Sequence, residues 1–581
     1  MKTNHTYKNI LHRLIIILFM VIVASCNLDE YNPSGATADE IWSTPQGFTT
    51  VVNAAYSEQR SWYTKEDGLF MAESGTDLWF NRDKNTYARQ LTQYDGLSPN
   101  DGNPNKAAWR FLWQAINVCN AGINRIDDAG FVDEEQKNAR EGELRFLRGF
   151  YYWHVVETWG GVMLRTTETQ TPELTAVRSS VEEFYDLIIR DLQFAAEHLP
   201  NSWGNEYSRA TKKSAFGFLA RAYLSRAYYA TGAERSTYFT QARNAAQEVI
   251  DRKDEFQITL WDNYADLWLP ANNKKLGKAG GEALYVVSAS TDATLNYDGN
   301  SVRIHSTFIT PYNGKPGLLQ SLEYGYENDR RLMPTLALID FYDREHDARY
   351  LGSFQEVWIA NKDYTWTASD VTTYKKDGSL IGKQMKAGID TALVITSESV
   401  SGESLKLYNV VDRDSMYNTS VDSKIKSGRD FITLKKYIDP NRTAANSRAG
   451  FNDVVVMRLA EMYMIAAEAE LGLNNPGGAA TYINVLRTRA AIKTPVDHTA
   501  DMQITGDDVT LDFILDERAR EFAGEYVRWF DLKRTGKLID RVTQYNPDIT
   551  KIQSFHTLRP VPLVEIQALL NGDEFGQNQG Y

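Results

Sequence analysis

From residue 39 onward, apolar side chains recur every three or four positions in one long segment after another, the spacing of helices that each bury one face. The segment from Asp39 to Arg60 opens on an acidic first turn and carries Ile41, Trp42, Phe48, Val51, Val52, Ala55 and Tyr56 on that spacing. The same periodicity predicts helices over 106–126, 134–158, 180–198, 212–229 and 235–251, and in the C-terminal half over 453–471, 478–491 and 511–535. Proline is sparse in these segments, as uninterrupted helices require. Between the blocks the pattern changes. Residues 68–102 and 261–326 mix aromatic and polar residues with turn formers, and 354–436 is rich in Thr, Ser, Asp, Lys and Gly with scattered β-branched residues. The stretch from Ala283 to Ala289 alternates like a strand, too briefly to specify a sheet. Long irregular segments between ordered helices are uncommon and are usually functional. The expected fold is mainly α, with long irregular loops and a few short strands.

Two of the helices share a pattern. Leu219-Ala220-x-x-Tyr223-x-x-x-Ala227 recurs as Leu459-Ala460-x-x-Tyr463-x-x-x-Ala467, each followed by a Gly-containing turn and a second amphipathic helix. Small residues at 220 and 460 admit a close partner helix, and the tyrosines fill the gap one turn on. This is the logic of a tetratricopeptide-like helical repeat scaffold with longer turns than the regular repeat, weighed against coincidence between two Ala-rich helices. A repeat surface binds; by itself it catalyses nothing.

The amino end differs from all of this. Lys2, Lys8 and Arg13 precede an apolar run from Leu14 to Ala24, too short to cross a bilayer that needs about 20 residues. Residues 1–25 read as a signal peptide and 26–38 as a polar tether. Val23-Ala24-Ser25-Cys26 looks like a bacterial lipobox, whose cysteine is acylated, with palmitate-type chains, and becomes the first residue. The alternative is an ordinary signal peptide cut nearby with Cys26 incidental. The cysteine's place between the apolar run and the tether favours lipid attachment at Cys26, and more than one acyl chain holds a large body at a membrane. The remaining organisation is an N-terminal helical region over 39–270 and a C-terminal region over 271–581 that contains the loop-rich insert 354–450.

Composition narrows the function. The 63 Lys and Arg stand against 76 Asp and Glu, a net charge of −13, which becomes −16 once a leader with three basic and no acidic residues is removed. A general nucleic-acid binder is therefore not expected. With Cys26 and Cys119 as the two cysteines, a disulfide framework and a Cys-rich zinc site are excluded, and Cys119 reads as a buried helix residue. No phosphate-binding Gly-rich loop, Gly-x-Ser-x-Gly or His-Glu-x-x-His occurs, and the eight histidines show no metal-ligand spacing. Ser423-x-x-Lys426 lacks its companion motifs and reads as chance. No catalytic residue, metal ligand set or cofactor is expected, so the chain is read as a non-enzyme.

Six motifs in order carry a resemblance. Leu28, Pro33, Trp42 and Ala54-Ala55-Tyr56 come first. Arg331-Leu332-x-Pro334-Thr335 with Phe341 and Asp347-Ala348-Arg349-Tyr350 follows. Met457-Arg458-Leu459-Ala460-Glu461 runs through Glu468 to Asn484-x-x-Arg487-x-Arg489-Ala490. Then come Glu517-Arg518-x-x-Glu521-Phe522, Gly524-Glu525-x-x-Arg528-Trp529-Phe530-Asp531, and the ending Pro560-Val561-Pro562-x-x-Glu565-Ile566 with Gln577-Asn578-Gln579-Gly580-Tyr581. In these the chain resembles the RagB/SusD family of outer-membrane nutrient-binding lipoproteins, with Gln579 where proline is usual. The resemblance implies a surface protein that captures a glycan or other nutrient and hands it to a TonB-dependent, SusC-like transporter, with ligand contacts from variable loops. Arg458, Glu461, Glu468, Arg487, Arg489, Glu517, Arg518, Arg528 and Asp531 are expected to form interhelical ion pairs, since arginine's planar fork pairs carboxylates and stays charged when buried.

A sugar offers an apolar face and a rim of hydroxyls, so its site needs aromatic plates beside Asp, Asn, Gln or Arg. Asp77, Trp79, Phe80, Asn81 and Arg82 supply every component, and Tyr312 and Tyr324 extend the set. The opposing reading packs these rings inward. Two rival functions share the features: an envelope scaffold that binds protein alone, and a glycan-cleaving lipoprotein.

Overall fold

A computed structural model describes residues 41–81, 88–100, 104–292, 302–326, 329 and 331–581. The leader, Cys26, the tether and Arg82 lie outside the described residues. Helix α1, Pro45–Ser57, begins later than its periodicity suggests because Thr44 caps it, accepting from Gly47 N at 3.1 Å, and Pro45 occupies its first turn. The next long helices fall close to their expected spans: α2 Asn105–Arg125, α3 Glu134–Trp159, α4 Val181–His198, α5 Lys212–Tyr229 and α6 Gly232–Asp251. Each packs on the one before it. Gly149 lets α3 and α4 approach, since a Cβ there would lie 3.2 Å from Leu192.

The array then resumes after residues 252–458. Helix α7, Leu459–Gly472, packs on α6 and α5, and α8, Pro476–Ala490, packs on α7. The repeated pattern is therefore structural. Ala220 and Ala460 are fully buried, and the two helices meet through matching positions of the motif: Arg221 donates to Glu461 at 2.7 Å and Tyr228 to Glu468 at 2.6 Å.

Two expected helices are corrected. The first turns of the 453–471 segment are a strand, Val454–Arg458, paired antiparallel with Ala283–Val287. Its Val-Val-Val-Met run is better buried as a strand, and Gly217 on α5 leaves room for it, because a Cβ at 217 would overlap Met457 and Leu284. The 511–535 segment is two helices, α9 Leu511–Phe522 and α10 Arg528–Arg534. Between them Gly524 and Tyr526 take positive φ, the Tyr526 hydroxyl donates to Tyr63 O at 2.8 Å, and Val527 N donates to Glu73 Oε1 at 3.1 Å. A tertiary acceptor for Val527 N and one for the Tyr526 side chain outweigh the helical periodicity. The insert has the expected character: Val357–Ile359, Thr391–Ile395 and Asn409–Val411 form a small mixed sheet among loops.

The motif residues are scaffold. Arg458 reaches Glu282 at 2.9 Å, Glu521 at 2.6 Å and Glu525 at 2.8 Å. Arg349 joins Asp347, Glu517 and Glu521 at 2.7, 2.8 and 3.0 Å, while Arg489 bridges Glu282 and Glu521. Arg487 pairs with Glu517 at 3.0 Å, Arg518 with Asp531 at 2.6 Å and Arg534 with Glu468. Burial, the largest influence on Glu517 and Glu521, pushes their carboxyls up, yet the surrounding guanidiniums together hold both far below the usual range. Cys119 is buried on α2, its thiol pushed well up by burial. Among the described residues no helix is long and apolar enough to cross a membrane.

Candidate functional site

Apart from Arg82, which lies outside the described residues, the residues singled out for sugar contact lie inside the protein. Trp79–Asn81 is a short strand paired antiparallel with Leu332–Pro334, and Trp79, Phe80 and Asn81 are each 0% exposed. The Trp79 indole donates to Glu73 Oε2 at 2.9 Å and its ring rests 4.8 Å from that of Phe308. Asp77 is the shared acceptor of two buried guanidiniums, Arg528 at 2.6 Å and Arg541 at 2.9 Å, and these outweigh burial to hold its carboxyl below the ordinary range. Tyr312 and Tyr324 are also buried, meeting edge to face at 5.7 Å, and their hydroxyls donate to Gly325 O at 2.7 Å and Ile359 O at 3.1 Å. The aromatic and polar mixture that suggests a sugar plate is here a core strand, a buried ion pair and two satisfied tyrosines. These six residues offer a ligand no face.

A different surface has the chemistry. Along one side of α2, Trp109, Trp113 and Asn117 follow one another at intervals of four, so they share a face. Three asparagines of the same helix hold the chain that leaves α3. Asn117 Oδ1 accepts from Thr169 N at 2.9 Å, Asn120 Nδ2 donates to Arg165 O at 3.0 Å, and Asn124 Oδ1 accepts from Glu168 N at 2.9 Å. Tyr152 on α3 adds to the clamp, its hydroxyl bonding both the carbonyl and the amide of Arg165. Asn120 is itself fixed by Arg148, which also grips Asp191 of α4 at 2.7 Å. The helical array thus sets where the strap sits.

Between strap and helix lies a groove of about 360 Å³ lined by Trp109, Arg110, Trp113, Gln114, Asn117, Met163, Arg165 and Glu565, among others. That volume is within the range of small-ligand sites. Its floor is aromatic: the two indoles lie 5.6 Å apart at 48°, Trp113 meets Tyr152 edge on at 5.9 Å, and Trp109 meets Trp159 edge on at 5.1 Å. Trp109 is almost wholly buried, whereas Trp113 is half-buried and lines the groove. The rim is polar, with exposed Arg110 and Gln114 and half-buried Asn117 and Glu565. Among the described residues neither Arg110 nor Glu565 is in an ion pair, although Arg110 lies near enough to Asp67 to act on its carboxyl. Asp67 is pushed up to about 7, by burial first and then by Glu66, with Arg110 opposing.

The signal for this site was present in the sequence as Trp109-Arg110-x-x-Trp113-Gln114-x-x-Asn117. Periodicity gives this segment only as helix, because it marks which residues share a face and not whether that face is covered. A second, wider groove borders the same strap, lined by Trp42, Asn124, Arg125 and Glu168, but there Arg125 is paired with Glu168 at 2.7 Å and lies over the Trp42 ring.

A helical-repeat back carrying an open groove floored by indoles and rimmed by amides and charges defines a class, the ligand-binding proteins built on stacked helices. The chain belongs to the SusD family: the model of that family matches residues 290–581, and a second, described as starch-binding associating with outer membrane, matches 28–224. A SusD-like protein of Formosa agariphila is 26% identical over 538 residues, 90% of each chain. The starch-binding protein SusD of Bacteroides thetaiotaomicron is 24% identical over 484 residues, covering 82% of this chain and 79% of that one. Among solved structures, a laminarin-binding SusD-like protein superposes with a TM-score of 0.66 at 19% identity, across 93% of this chain and all of the other. The mainly helical, tetratricopeptide-like fold is thus shared with that structure.

Proposed function

We propose that this protein captures a glycan at the outer surface of a bacterial outer membrane, held there by acyl chains on Cys26, and passes it to a TonB-dependent, SusC-like transporter without cleaving it. Family membership supports the role, and the starch-binding and laminarin-binding relatives support the ligand class. The observation that carries the reading onto this chain is the groove beside α2. Trp113 offers an apolar plate for the C–H face of a sugar, and Gln114, Asn117, Arg110 and Glu565 line the same groove as polar partners for its hydroxyls. Glu565 is the one carboxylate among the residues lining that groove. Glycoside hydrolysis ordinarily uses two carboxyl groups about 5–10 Å apart, so the lining favours capture over cleavage.

Native electrophoresis through gels cast with starch, laminarin and other polysaccharides tests the capture, with assay of reducing ends in parallel. Retardation by at least one polysaccharide without new reducing ends is expected. Release of reducing ends, or unretarded migration in every gel, would overturn the reading. Co-purification of the lipidated protein from outer membranes with a large β-barrel protein tests the handover, and a Cys26→Ser variant is expected to be lost from the membrane fraction.

A further inference from the structure

Far along the sequence from one another, two histidines meet on the surface. His346 lies in the turn before Asp347 and Arg349, and His498 in the loop after α8. The two segments are tied by backbone: Ala348 N donates to Ala490 O at 2.8 Å, Ile492 N to His346 O at 2.8 Å, and His498 N to Ile492 O at 2.9 Å. The rings come to 4.6 Å, centroid to centroid. Each ring has its own carboxylate, His346 Nδ1 lying 2.6 Å from Asp343 Oδ2 and His498 Nδ1 2.8 Å from Asp501 Oδ2. One ligand atom each from His346, His498 and Asp501 lie within 4.8 Å of one another.

We infer that His346, His498 and Asp501 form a binding site for a divalent transition-metal ion, zinc above all, that fastens the turn at 343–349 to the loop at 490–502. Two imidazoles and a carboxylate are a donor set that suits zinc and copper and not calcium or magnesium, which take oxygen ligands. Bond lengths of about 2.0–2.2 Å put neighbouring ligand atoms of a tetrahedral site about 3.3 Å apart, so these three need only close by small side-chain rotations. Asp343 is the outer carboxylate that metal-binding histidines usually have: it fixes the His346 ring through Nδ1 and leaves Nε2 for the ion. The fourth position stays open to water. The segment so fastened carries Asp347 and Arg349, the root of the buried network that reaches Glu517 and Glu521. The spacing from 346 to 498 is beyond any local motif, which is why the sequence shows no metal-ligand pattern.

The test uses the mature chain stripped of metal with a chelator. Titration calorimetry with zinc chloride is expected to show one site, and zinc to raise the melting temperature. His346→Ala and His498→Ala should each weaken binding at least about 100-fold and abolish that rise, and Asp343→Asn should weaken it about 10–100-fold. Cobalt(II) added to the stripped wild type should give the intense visible absorption of a tetrahedral site, absent in both histidine variants. Both histidines sit at the surface, so circular dichroism of the variants should match the wild type. Zinc binding unchanged in the two histidine variants, or calcium raising the melting temperature as much as zinc, would overturn the proposal.

Discussion

Two tryptophans on one chain separate a core role from the proposed binding role. Trp79 is enclosed, its indole N–H satisfied by Glu73, so Trp79→Ala should cost about 3–5 kcal/mol in chemical unfolding, the price of a large core cavity. Trp113 is half-buried on the groove, and Trp113→Ala should change unfolding far less. Asp77 makes a sharper case. Replacing it by Ala leaves Arg528 buried without a counter-charge, while Arg541 keeps Asp512 and Asp516, a change expected to destabilise by about 3–5 kcal/mol. Asp67 gives the pH dependence at this scale. Its folded pKa of about 7 lies above the ordinary 3.8, so the stability it contributes is full below about pH 4 and is lost as pH rises through 7. Melting curves of Asp67→Asn should lack that decline. A variant that loses stability between pH 4 and 7 as the wild type does would contradict the assignment.

At the scale of elements, periodicity located the helices of the array well where one face is buried, as in α2 and α4, while α5 and α7 are buried nearly all round and were marked by their Ala-rich runs without proline. It failed where tertiary partners replace helical hydrogen bonds. The Val454–Arg458 strand exists because Ala283–Val287 lies beside it, and the break at 524–527 is held by Glu73, which accepts from Val527 N, and by Tyr63 O, which accepts from the Tyr526 hydroxyl. Neither partner is near in sequence. The repeat was legible, since Leu459-Ala460-x-x-Tyr463 copies Leu219-Ala220-x-x-Tyr223, and the copies meet at equivalent positions. A double-mutant cycle on Arg221 and Glu461 should therefore give a coupling of about 1–3 kcal/mol, as for groups that share a buried, two-point ion pair. Additive single effects would show that the pair does not join the repeats.

For the whole molecule, the motif arginines and carboxylates that identify the family are those that lock the last helices to the rest. Their carboxyls at 517 and 521 are held far below the ordinary 4.5 by Arg349, Arg458, Arg487 and Arg489. The stability they contribute is complete above about pH 4.5 and is lost as pH falls below it. The same division explains what the sequence could tell about function. The scaffold residues fall in motifs that are read at once from the sequence; a groove is made by surfaces left uncovered, which no motif marks. The aromatic and polar segment at 77–81 had the right composition and the wrong burial, whereas Trp113 had both and looked like any helix residue.

The central claim, that a glycan is held in the groove beside α2, is tested most directly by calorimetric titration of wild type and Trp113→Ala with whichever polysaccharide retards the wild type, starting with laminarin and starch. Losing the contact of one ring face, worth about 1.5–3 kcal/mol, should weaken binding by about 10–100-fold while the melting temperature stays within a few degrees. Undiminished affinity in a folded Trp113→Ala variant would contradict it.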